Sequence, residues 1–513
     1  MAERETLAHA ADSRRSAATA VLQRDHRARL GQFFTPAPVA RLIAAQFNRP
    51  TGHVRLLDPG AGIGALAAAF VARVITEGVA VSRLDIVAYE IEPAFHADLA
   101  RALRRCSESL ARRGIACAYE VRKQDFLEVP SSLQRSLPFG PGAIPPEASF
   151  THAILNPPYR KIHSRSREHR VLAEAGIHVP NLYSAFVWKA VQLLEQGGEL
   201  AAITPRSFCN GPYFRRFRAA LLRDMALDRI HVYESRTAAF AEDAVLQENV
   251  IFHAVKGAAK PPQVAVTSIK GNPGAEAFST RLLPYSDVVR PGDREQVIHI
   301  IGDDAGQRLK AQMEALPATL TELGLDVSTG PVVDFRLKEH LLPGLADDSV
   351  PLLYPEAVAG DRVLWPPRKA RKPTAILHNA STDRWLTQPG WYVLTRRFTA
   401  KEEKRRVVAA VCHPLDAPAF GIENHLNYFH VHGRGMDADL ARGLAAFLNS
   451  TMVDDYFRQF SGHTQVNASD LRRMRYPAHS DLLTLGRRAD GQAPAQEQID
   501  SWLRELLAEQ ERS

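Results

Sequence analysis

The amino-acid sequence predicts an α/β protein that opens with a mostly parallel sheet and continues into a second, α+β domain. In the first half, short apolar segments alternate with helical ones, the pattern of strand–helix–strand units. A glycine-rich loop joins the first strand to a helix, and a later buried strand ends on two prolines. The second half alternates short strands and turns before its helices, which indicates a separate α+β region.

Length and composition exclude several classes of protein. The 513 residues exceed one ordinary core, so several domains are expected. With 45% hydrophobic and 24% charged residues, the chain has the composition of a soluble globular protein. It has neither a membrane-length apolar run nor a signal peptide, which predicts a cytoplasmic protein without a membrane partner. Its four cysteines lack zinc-site spacing, so no metal is expected.

The net charge of +7 lies in the first half of the chain. Residues 1–250 hold 32 Lys and Arg against 25 Asp and Glu, a difference of +7, whereas residues 251–513 hold 32 of each, a difference of zero. A basic excess suits a polyanionic partner, but surplus arginines also occur as solvated surface. Charge alone therefore does not decide between these interpretations.

The chain begins with a polar helical segment, residues 1–30, followed by residues 31–36 with the sequence GQFFTP. Apolar residues at helical spacing come next, from Val39 to Phe47. The Thr35 hydroxyl followed by Pro36 predicts the start of that helix, with Thr35 as its cap.

A strand at residues 54–57 runs into the loop DPGAGIG, residues 58–64, and then into an alanine-rich helix. Strand, glycine loop and helix form the nucleotide-binding opening of a Rossmann-like fold, and Gly60 and Gly62 let a ligand approach the backbone closely. The loop also fits the pattern of a dinucleotide site. Asp58 at the strand end would repel a pyrophosphate and attract an ammonium group, which favours an amino-acid-bearing nucleoside such as S-adenosylmethionine.

Acidic side chains follow the next two predicted strands. The strand from Leu84 to Tyr89 ends at Glu90, whose carboxylate can accept both ribose hydroxyl protons. Asp125 follows a strand near residues 119–121, and Phe126 beside it can pack on a flat ring. Parallel strands share one carboxyl edge, so one ligand crevice is expected. The alternative is that Asp58 and Glu90 merely cap helices.

Residues 153–159, AILNPPY, carry the most specific signal. The paired prolines lack N–H groups and fix φ, so Asn156 lies on a stiff, extended turn at the end of a buried strand. The Asn156 amide, the Pro157 carbonyl and the Tyr159 ring then suit a planar amine, which they would hold by two hydrogen bonds and one stacked face. The arginine-rich segment 160–170 is predicted to be a mobile loop that contacts phosphate, or else a solvated loop.

In the second half, Trp365, Trp385, Trp391 and Tyr392 are interleaved with basic residues, among them Arg368, Lys369, Arg371, Lys372, Arg396 and Arg397. Basic residues mixed with aromatic ones indicate contact with nucleic acid. The alternative is a set of core tryptophans beside a solvated basic turn.

Taken together, these motifs resemble the amino-group DNA methyltransferases, specifically N6-adenine enzymes with the γ order of motifs, over roughly residues 31–255. GQFFTP is similar to the family's segment around the methionine end of the cofactor, DPGAGIG to its methionine loop, YEIEP at residues 89–93 to its ribose motif, and NPPY at residues 156–159 to its catalytic signature. The resemblance implies cofactor contacts from Phe33, Thr35, Asp58, Gly60, Gly62, Glu90, Asp125, Phe126 and Asn156. It implies catalysis by Asn156, Pro157 and Tyr159, and base stacking by Tyr159 and Phe240.

The resemblance also implies a domain division. We expect a helical segment at 1–30, a catalytic domain at 31–255, a linker region at 256–315, a DNA target-recognition domain at 316–480 and a tail helix at 481–513. Residues 448–450 and 463–465 resemble parts of such recognition domains.

The function that follows is transfer of methyl from S-adenosylmethionine to N6 of an adenine flipped out of duplex DNA. We expect a monomeric type II modification enzyme paired with a restriction endonuclease. Protein-glutamine and RNA methyltransferases share the NPPY tetrapeptide, and a DNA-binding subunit of a defence complex is a further alternative. The GQFFTP motif and the long second half favour DNA, and the intact tetrapeptide favours catalysis.

Overall fold

The computed structural model describes residues 35–77, 80–129, 149–163, 165–174, 176–233, 248–270, 277–300, 304–367, 371–399, 403, 405–460, 465–490 and 494–510. The predicted helix at 1–30 lies outside the described residues, as do Phe33, Phe240, Arg368, Lys369 and residues 463–464. The chain divides into two compact units, Met1–Asp303 and Asp304–Ser513.

The first unit is built on a nine-stranded sheet with the order β3-β2-β1-β4-β5-β7-β6-β8-β9. Its strands β1 to β9 are Gly52–Pro59, Val81–Tyr89, Ala116–Arg122, Phe150–Leu155, Leu194–Pro205, Met225–Tyr233, Asn249–Lys256, Gln263–Lys270 and Ala277–Pro284. Strands β1 to β5 are mutually parallel, and β7 runs antiparallel between β5 and β6. This architecture confirms the predicted α/β fold with a mostly parallel sheet.

Helices pack against this sheet through apolar faces. Helices α1 to α7 are Ala37–Ala44, Ala65–Thr76, His96–Ala111, Arg167–Glu174, Leu182–Leu193, Arg215–Asp224 and Tyr285–Val288. Val39 and Ile43 of α1, Phe70 of α2 and Leu99 of α3 are buried in one core with the strands. Within α1, the spacing of four residues between Val39 and Ile43 puts both side chains on one helix face.

Two predicted features of this unit differ in the structure. No side chain in the described part of the chain caps α1, whose N-cap is Pro36; the Thr35 hydroxyl is bonded to Asn156 instead. Residues 256–300, within the predicted linker, are rich in Pro, Gly and Lys, which predicts irregular structure, but β8 and β9 extend the sheet there. Alternating burial of Val264 and Val266 explains β8, a pattern that the preceding proline- and lysine-rich turn obscured.

The second unit contains two sheets and a group of helices, an α+β arrangement as predicted. Strands β10 to β20 are Asp326–Thr329, Leu341–Leu342, Ser349–Leu353, Val358–Ala359, Arg362–Val363, Ala375–Leu377, Leu386–Thr387, Tyr392–Arg396, Ala409–Cys412, Phe420–Ile422 and Leu426–His430. They form sheets of order β10-β20-β17-β18-β14-β13 and β11-β15-β12-β19-β16. Helices α8 to α13 are Asp304–Ala315, Ala438–Leu448, Thr451–Phe460, Ala468–Arg473, His479–Arg488 and Gln496–Gln510.

The sequence from Leu440 to Phe460 predicts a single helix, but the structure has two, α9 and α10, with a break at Asn449. The Asn449 side chain accepts from the Ala409 N–H at 3.1 Å and donates to the Ala409 carbonyl at 2.8 Å. This pair of bonds ties the break to strand β18. The segment 448–450 that resembled a recognition motif therefore has a structural role here.

Among the described residues, no helix combines the length and apolar character needed to cross a membrane.

Helices α9 and α12 cross at two glycines. A Cβ on Gly443 would collide with the carbonyl oxygen of Leu482, and one on Gly486 with that of Asp439. Both obstacles are backbone atoms, which cannot rotate away as a flexible side chain can. The helices therefore approach as closely as they do because both positions lack a side chain.

Gly443→Ala should lower the stability of the second unit by about 1–3 kcal/mol, because overpacking outweighs the small gain in helix propensity. Differential scanning calorimetry would show this as a lower melting temperature. Gly344→Ala is the matched control, since no atom lies within 4 Å of its added Cβ. Equal melting temperatures for the two variants would contradict the argument.

Candidate active site

The candidate site lies at the carboxyl edge of the first unit's sheet. Strand β1 pairs with β2 on one side and with β4 on the other, both in parallel. Asp58 near the end of β1, Glu90 after β2 and Asn156 after β4 therefore meet at one edge. The chain runs outward from β1 to β3 before it returns to β4, so the crevice between β1 and β4 is a topological switch point.

The glycine loop is held against the end of β2. The N–H groups of Gly60 and Ala61 both donate to the Tyr89 carbonyl at 2.9 Å. Gly60 and Gly62 have φ values of 73° and 56°, in the left-handed region that glycine adopts without strain. The loop therefore presents backbone rather than side chains to the cavity that both glycines line.

Glu90 fixes this loop in place. Its buried carboxylate accepts the Gly62 N–H with one oxygen and the Glu92 N–H with the other, both at 2.7 Å. A carboxylate has about four acceptor positions, so Glu90, which lines the cavity, retains capacity for ligand hydroxyls. The alternative was that Glu90 caps the helical turn that follows it. That role belongs to Glu92, whose side chain accepts the Ala94 N–H.

Asp58 is fully buried, and its two oxygens differ. Oδ2 accepts the Ala67 N–H at 3.3 Å in the first turn of α2, which agrees in part with the capping alternative. Oδ1 has no hydrogen-bond partner among the described residues. Burial raises the pKa of Asp58 to about 7. A buried acceptor without a partner is unfavourable, so this oxygen is suited to a cationic ligand group.

Asp125 and Phe126 are adjacent residues that line one wall of the cavity. Asp125 accepts the Leu127 N–H at 2.9 Å, which starts a short 3₁₀ turn, and burial raises its pKa. The Phe126 ring lies 5.1 Å from that of Tyr89 and 5.2 Å from that of Phe186. These rings give the cavity an apolar wall.

Lys189 supports this turn, a contact that sequence reasoning missed. Its ammonium donates to the Leu127 carbonyl at 2.5 Å from a buried position on α5. Burial lowers the pKa of Lys189 to about 8. No local signal separates Lys189 from a surface lysine on an amphipathic helix, because its partner is 62 residues away.

Asn156 is held by Thr35. The Asn156 side-chain Nδ2 donates to Thr35 Oγ1 at 2.9 Å, and the Tyr159 hydroxyl lies 3.5 Å from Asn156 Oδ1. In the structure the amide nitrogen is directed to Thr35, and its oxygen is on the side of the Tyr159 hydroxyl. That orientation keeps Oδ1 as an acceptor at the cavity that Asn156 lines.

The other two predicted catalytic residues of the tetrapeptide are more buried than Asn156. Pro157 and Tyr159 are buried, and the Tyr159 ring meets that of Tyr183 edge-on at 6.1 Å. Burial raises the pKa of Tyr159, so its hydroxyl stays protonated. Pro158 rather than Pro157 is part of the cavity wall.

One cavity thus brings together six of the twelve predicted residues, namely Gly60, Gly62, Glu90, Asp125, Phe126 and Asn156. Asp58, Thr35, Pro157 and Tyr159 lie outside its lining, and Phe33 and Phe240 lie outside the described residues. Sequence reasoning missed Ile91 on the wall, an apolar side chain that is 54% exposed. The sequence feature that could have identified Ile91 is its position directly after Glu90.

The segment after Tyr159 was expected to be a mobile loop, but helix α4 begins within it at Arg167. Arg160 pairs with Glu168, and both line the cavity. Arg160 is therefore engaged within the protein. Within the described ranges, no group of three or more His, Cys, Asp and Glu side chains is placed to bind a metal ion.

A parallel sheet with a switch-point crevice, a glycine loop and an acidic residue after β2 defines a Rossmann-like nucleoside-binding enzyme, and the turn after β4 adds an amide at the crevice. The family model described as Eco57I restriction-modification methylase matches residues 123–240. The chain is 39% identical to the type II methyltransferase M.PstI of Providencia stuartii, with 97% of this chain and 96% of that protein covered. It is 41% identical to M.BsuBI of Bacillus subtilis, with coverage of 94% and 95%.

Among solved structures, the type IIL restriction-modification enzyme MmeI in complex with DNA matches with a TM-score of 0.50 and 11% identity. The match covers 90% of this chain and 69% of that one, and it concerns the fold. The near full-length relatives show the family. The chain belongs to the type II DNA methyltransferases of restriction–modification systems, and its methyl donor is S-adenosylmethionine.

The residues at the crevice fit this donor. The partnerless Asp58 oxygen suits an ammonium group, the Glu90 carboxylate suits hydroxyls, and the Phe126 wall suits a flat ring. The donor set therefore matches an amino acid joined to a nucleoside.

Thr35→Val should lower kcat for methyl transfer to DNA roughly five- to tenfold, because the Asn156 amide loses the bond that orients it. Thr35→Ser keeps a hydroxyl and should retain most of the rate. Steady-state kinetics with both substrates would measure the effect. A raised KM for S-adenosylmethionine with unchanged kcat would instead mean that Thr35 serves the cofactor alone.

Proposed function

We propose that this methyltransferase transfers a methyl group to N6 of an adenine flipped out of duplex DNA at a specific sequence. The observation that carries the proposal is the oriented Asn156 amide, whose Nδ2 is bonded to Thr35 while Oδ1 remains an acceptor at the cavity. An acceptor amide followed by a proline carbonyl suits the two N–H bonds of an exocyclic amine. Adenine N6 is such an amine.

The chemical problem is that the exocyclic nitrogen of adenine is a poor nucleophile, because its lone pair is delocalised into the ring. Asn156 Oδ1 and the Pro157 carbonyl would each accept one N–H bond from it. These bonds draw the nitrogen toward tetrahedral geometry and stabilise the positive charge that develops during attack. No strong base is needed, because the product ammonium is acidic.

S-Adenosylmethionine supplies an electrophilic methyl group on its sulfonium. The protein's part is to hold it in line with the amine, which lowers the entropic barrier. In this proposal Glu90 binds the ribose, Asp125 and Phe126 flank the adenine ring, and Asp58 binds the ammonium. Gly60 and Gly62 permit close approach, and Phe33 and Thr35 lie at the methionine end.

Since N6 lies inside the duplex, the target base must leave the stack, at a cost of a few kcal/mol. We assign Tyr159 and Phe240 to packing against the flipped base. The enclosed Tyr159 ring is held by Tyr183, which would keep it rigid as a stacking surface. The second unit, in which basic residues are interleaved with aromatic ones, would read the DNA sequence.

The similarity to known proteins also bears on the cellular role. Near full-length similarity to named type II methyltransferases supports a modification enzyme paired with a restriction endonuclease. We propose that it acts in the cytoplasm as a monomer, because one chain contains both the methyl-transfer unit and a second unit for recognition.

The test is transfer of labelled methyl from S-adenosylmethionine to unmethylated duplex DNA, followed by digestion to nucleosides. The expected product is N6-methyladenine. Asn156→Ala should lower the rate by roughly 10²- to 10³-fold, the loss that follows removal of one preorganised polar group, while cofactor binding persists. Label in N4-methylcytosine, or in RNA or protein instead of DNA, would refute the substrate assignment, and near-normal turnover of the variant would refute the mechanism.

Cofactor affinity should depend on the ionisation of Asp58. With a pKa of about 7, its carboxyl is mostly neutral at pH 5.5 and mostly charged at pH 8. Only the charged form attracts an ammonium, so affinity for S-adenosylmethionine should fall as the pH drops below 7, by up to about tenfold per pH unit. Titration calorimetry between pH 5.5 and 7.5 measures this.

The control for this prediction is Asp58→Asn, which removes the titrating group. It should bind the cofactor weakly, with little change over the same pH range. A flat profile for the wild-type protein would remove Asp58 from the ammonium site.

A further inference from the structure

A second cavity lies within the C-terminal unit, with a volume of about 690 Å³. It is lined by strands β17 and β18, by helix α9 and by residues that flank them. The side chains that matter here are Trp391, Arg396, Arg405, His413 and Arg442. This groove shares no residue with the methyl-transfer cavity.

Acids in and beside the groove neutralise some of its positive charge, and Glu403 also lines it. Arg442 forms ion pairs with Asp439 at 2.8 Å and Asp490 at 3.2 Å. Arg362 lies 3.7 Å from Asp361. These two arginines therefore attract an added anion only weakly.

Arg396 and Arg405 are not neutralised in this way. Arg396 donates to the Val358 carbonyl at 2.7 Å, while its buried Nε has no partner among the described residues. Arg405, which is half-buried, has neither a hydrogen bond nor an ion pair within the described part of the chain. The Arg396 and Arg405 side chains both line this groove.

The acids that influence Arg405 are occupied elsewhere. Asp454 accepts the Arg406 N–H at 2.5 Å and the Arg458 side chain at 2.7 Å. Asp500 accepts the Thr451 N–H at 2.8 Å and hydroxyl at 2.6 Å. Since burial also lowers the pKa of Arg405, an external anion would relieve an unfavourable position.

The opposite end of the groove carries two aromatic rings. The Trp391 and His413 rings lie 4.4 Å apart with their planes inclined by 52°, and the Arg442 guanidinium lies 5.4 Å from the Trp391 ring centre. Partial burial and the nearby arginines lower the pKa of His413, so its ring is neutral near pH 7. A nucleobase would pack against one of these rings, as bases do on aromatic side chains.

The distance between these two ends limits the ligand. Trp391 directly precedes β17 and Arg396 ends it, a separation of five residues and about 16 Å at the usual rise of a strand. The pairing of Tyr392 with Cys412 and of Thr395 with Ala409 puts His413 near the Trp391 end and Arg405 near the Arg396 end. A ring at one end and phosphate at the other therefore require more than one nucleotide.

We propose that this groove binds two or three nucleotides of a single DNA strand, with phosphates on Arg396 and Arg405 and a base against the Trp391 and His413 rings. The combination of cationic side chains and aromatic rings along a channel is typical of single-strand binding. The site requires neither the methyl donor nor a flipped adenine. It is distinct from base recognition in duplex DNA.

The probe is fluorescein-labelled hexathymidylate, with binding to the whole chain measured by fluorescence anisotropy over a salt series. Trp391→Ala should weaken binding about tenfold through loss of stacking, whereas Trp391→Phe should retain most of it. Arg405→Gln should weaken binding and lower the salt slope by about 0.7, the loss of one phosphate contact on a single strand. The matched control is Arg504→Gln, which removes an equal charge from an exposed position on α13.

Competitors separate the possible ligands. Unlabelled hexathymidylate should displace the probe better than the free dinucleotide, hexauridylate or site-free duplex DNA. Equal or better competition by any of these three would overturn the single-strand DNA assignment. Unchanged binding in both Trp391→Ala and Arg405→Gln would overturn the site itself.

Two controls separate a loss of binding from a loss of folding and from binding at the other cavity. Melting temperatures establish that each variant is folded, and if Trp391→Ala is not, Trp391→Phe and Arg405→Gln carry the test. Hexathymidylate binding should be unaffected by Asn156→Ala. A loss there would assign the probe to the methyl-transfer cavity and refute the proposal, whatever the outcome for adenine methylation.

Discussion

The active site depends on the parallel register of β1 between β2 and β4. Because these three strands end at the same edge, three separate stretches of sequence bring Asp58, Glu90 and Asn156 to one crevice. Each of the three has a different part: Glu90 holds the glycine loop, Asp58 has an acceptor oxygen without a partner in the described part of the chain, and Asn156 presents an amide. A shift of one residue in β1 or β4 would turn the neighbouring side chain toward the crevice instead, so register determines the chemistry.

The second requirement is rigidity of the groups at that edge. Two prolines restrict the backbone after Asn156, and the Thr35 hydroxyl restricts its side chain. Lys189 restrains the Asp125–Phe126 turn through the Leu127 carbonyl. These contacts join the site to segments before β1 and to helix α5, so residues distant in sequence decide how accurately the site is preorganised. Preorganised polar groups accelerate a reaction because they need not reorient as charge develops.

Local patterns were sufficient to predict the elements that carry the site. Strand β1, the glycine loop, the acids after β2 and β3 and the turn at Asn156 could each be recognised from a few adjacent residues. What could not be predicted depends on contacts between distant residues: the Thr35–Asn156 bond spans 121 residues and the Lys189–Leu127 bond 62. The same holds for the break at Asn449, which its bonds to Ala409 stabilise against the helical pattern around it. Strands β8 and β9 were missed because proline and lysine in the adjoining turns outweighed a short alternating pattern.

Each of the two units contains charged groups whose set of partners is incomplete among the described residues. In the first unit it is a carboxyl group, Asp58, which is fully buried with one oxygen unpaired in the described part of the chain. A buried unsatisfied acceptor costs about 1–3 kcal/mol, which other interactions of the fold must offset. In the second unit it is a pair of guanidinium groups, Arg396 and Arg405. The signs are opposite, as the two proposed ligand groups require: the ammonium of the methyl donor for Asp58 and a phosphodiester strand for the arginines. Under these two proposals the complementary charge arrives with the ligand, so each ligand would stabilise the unit that binds it.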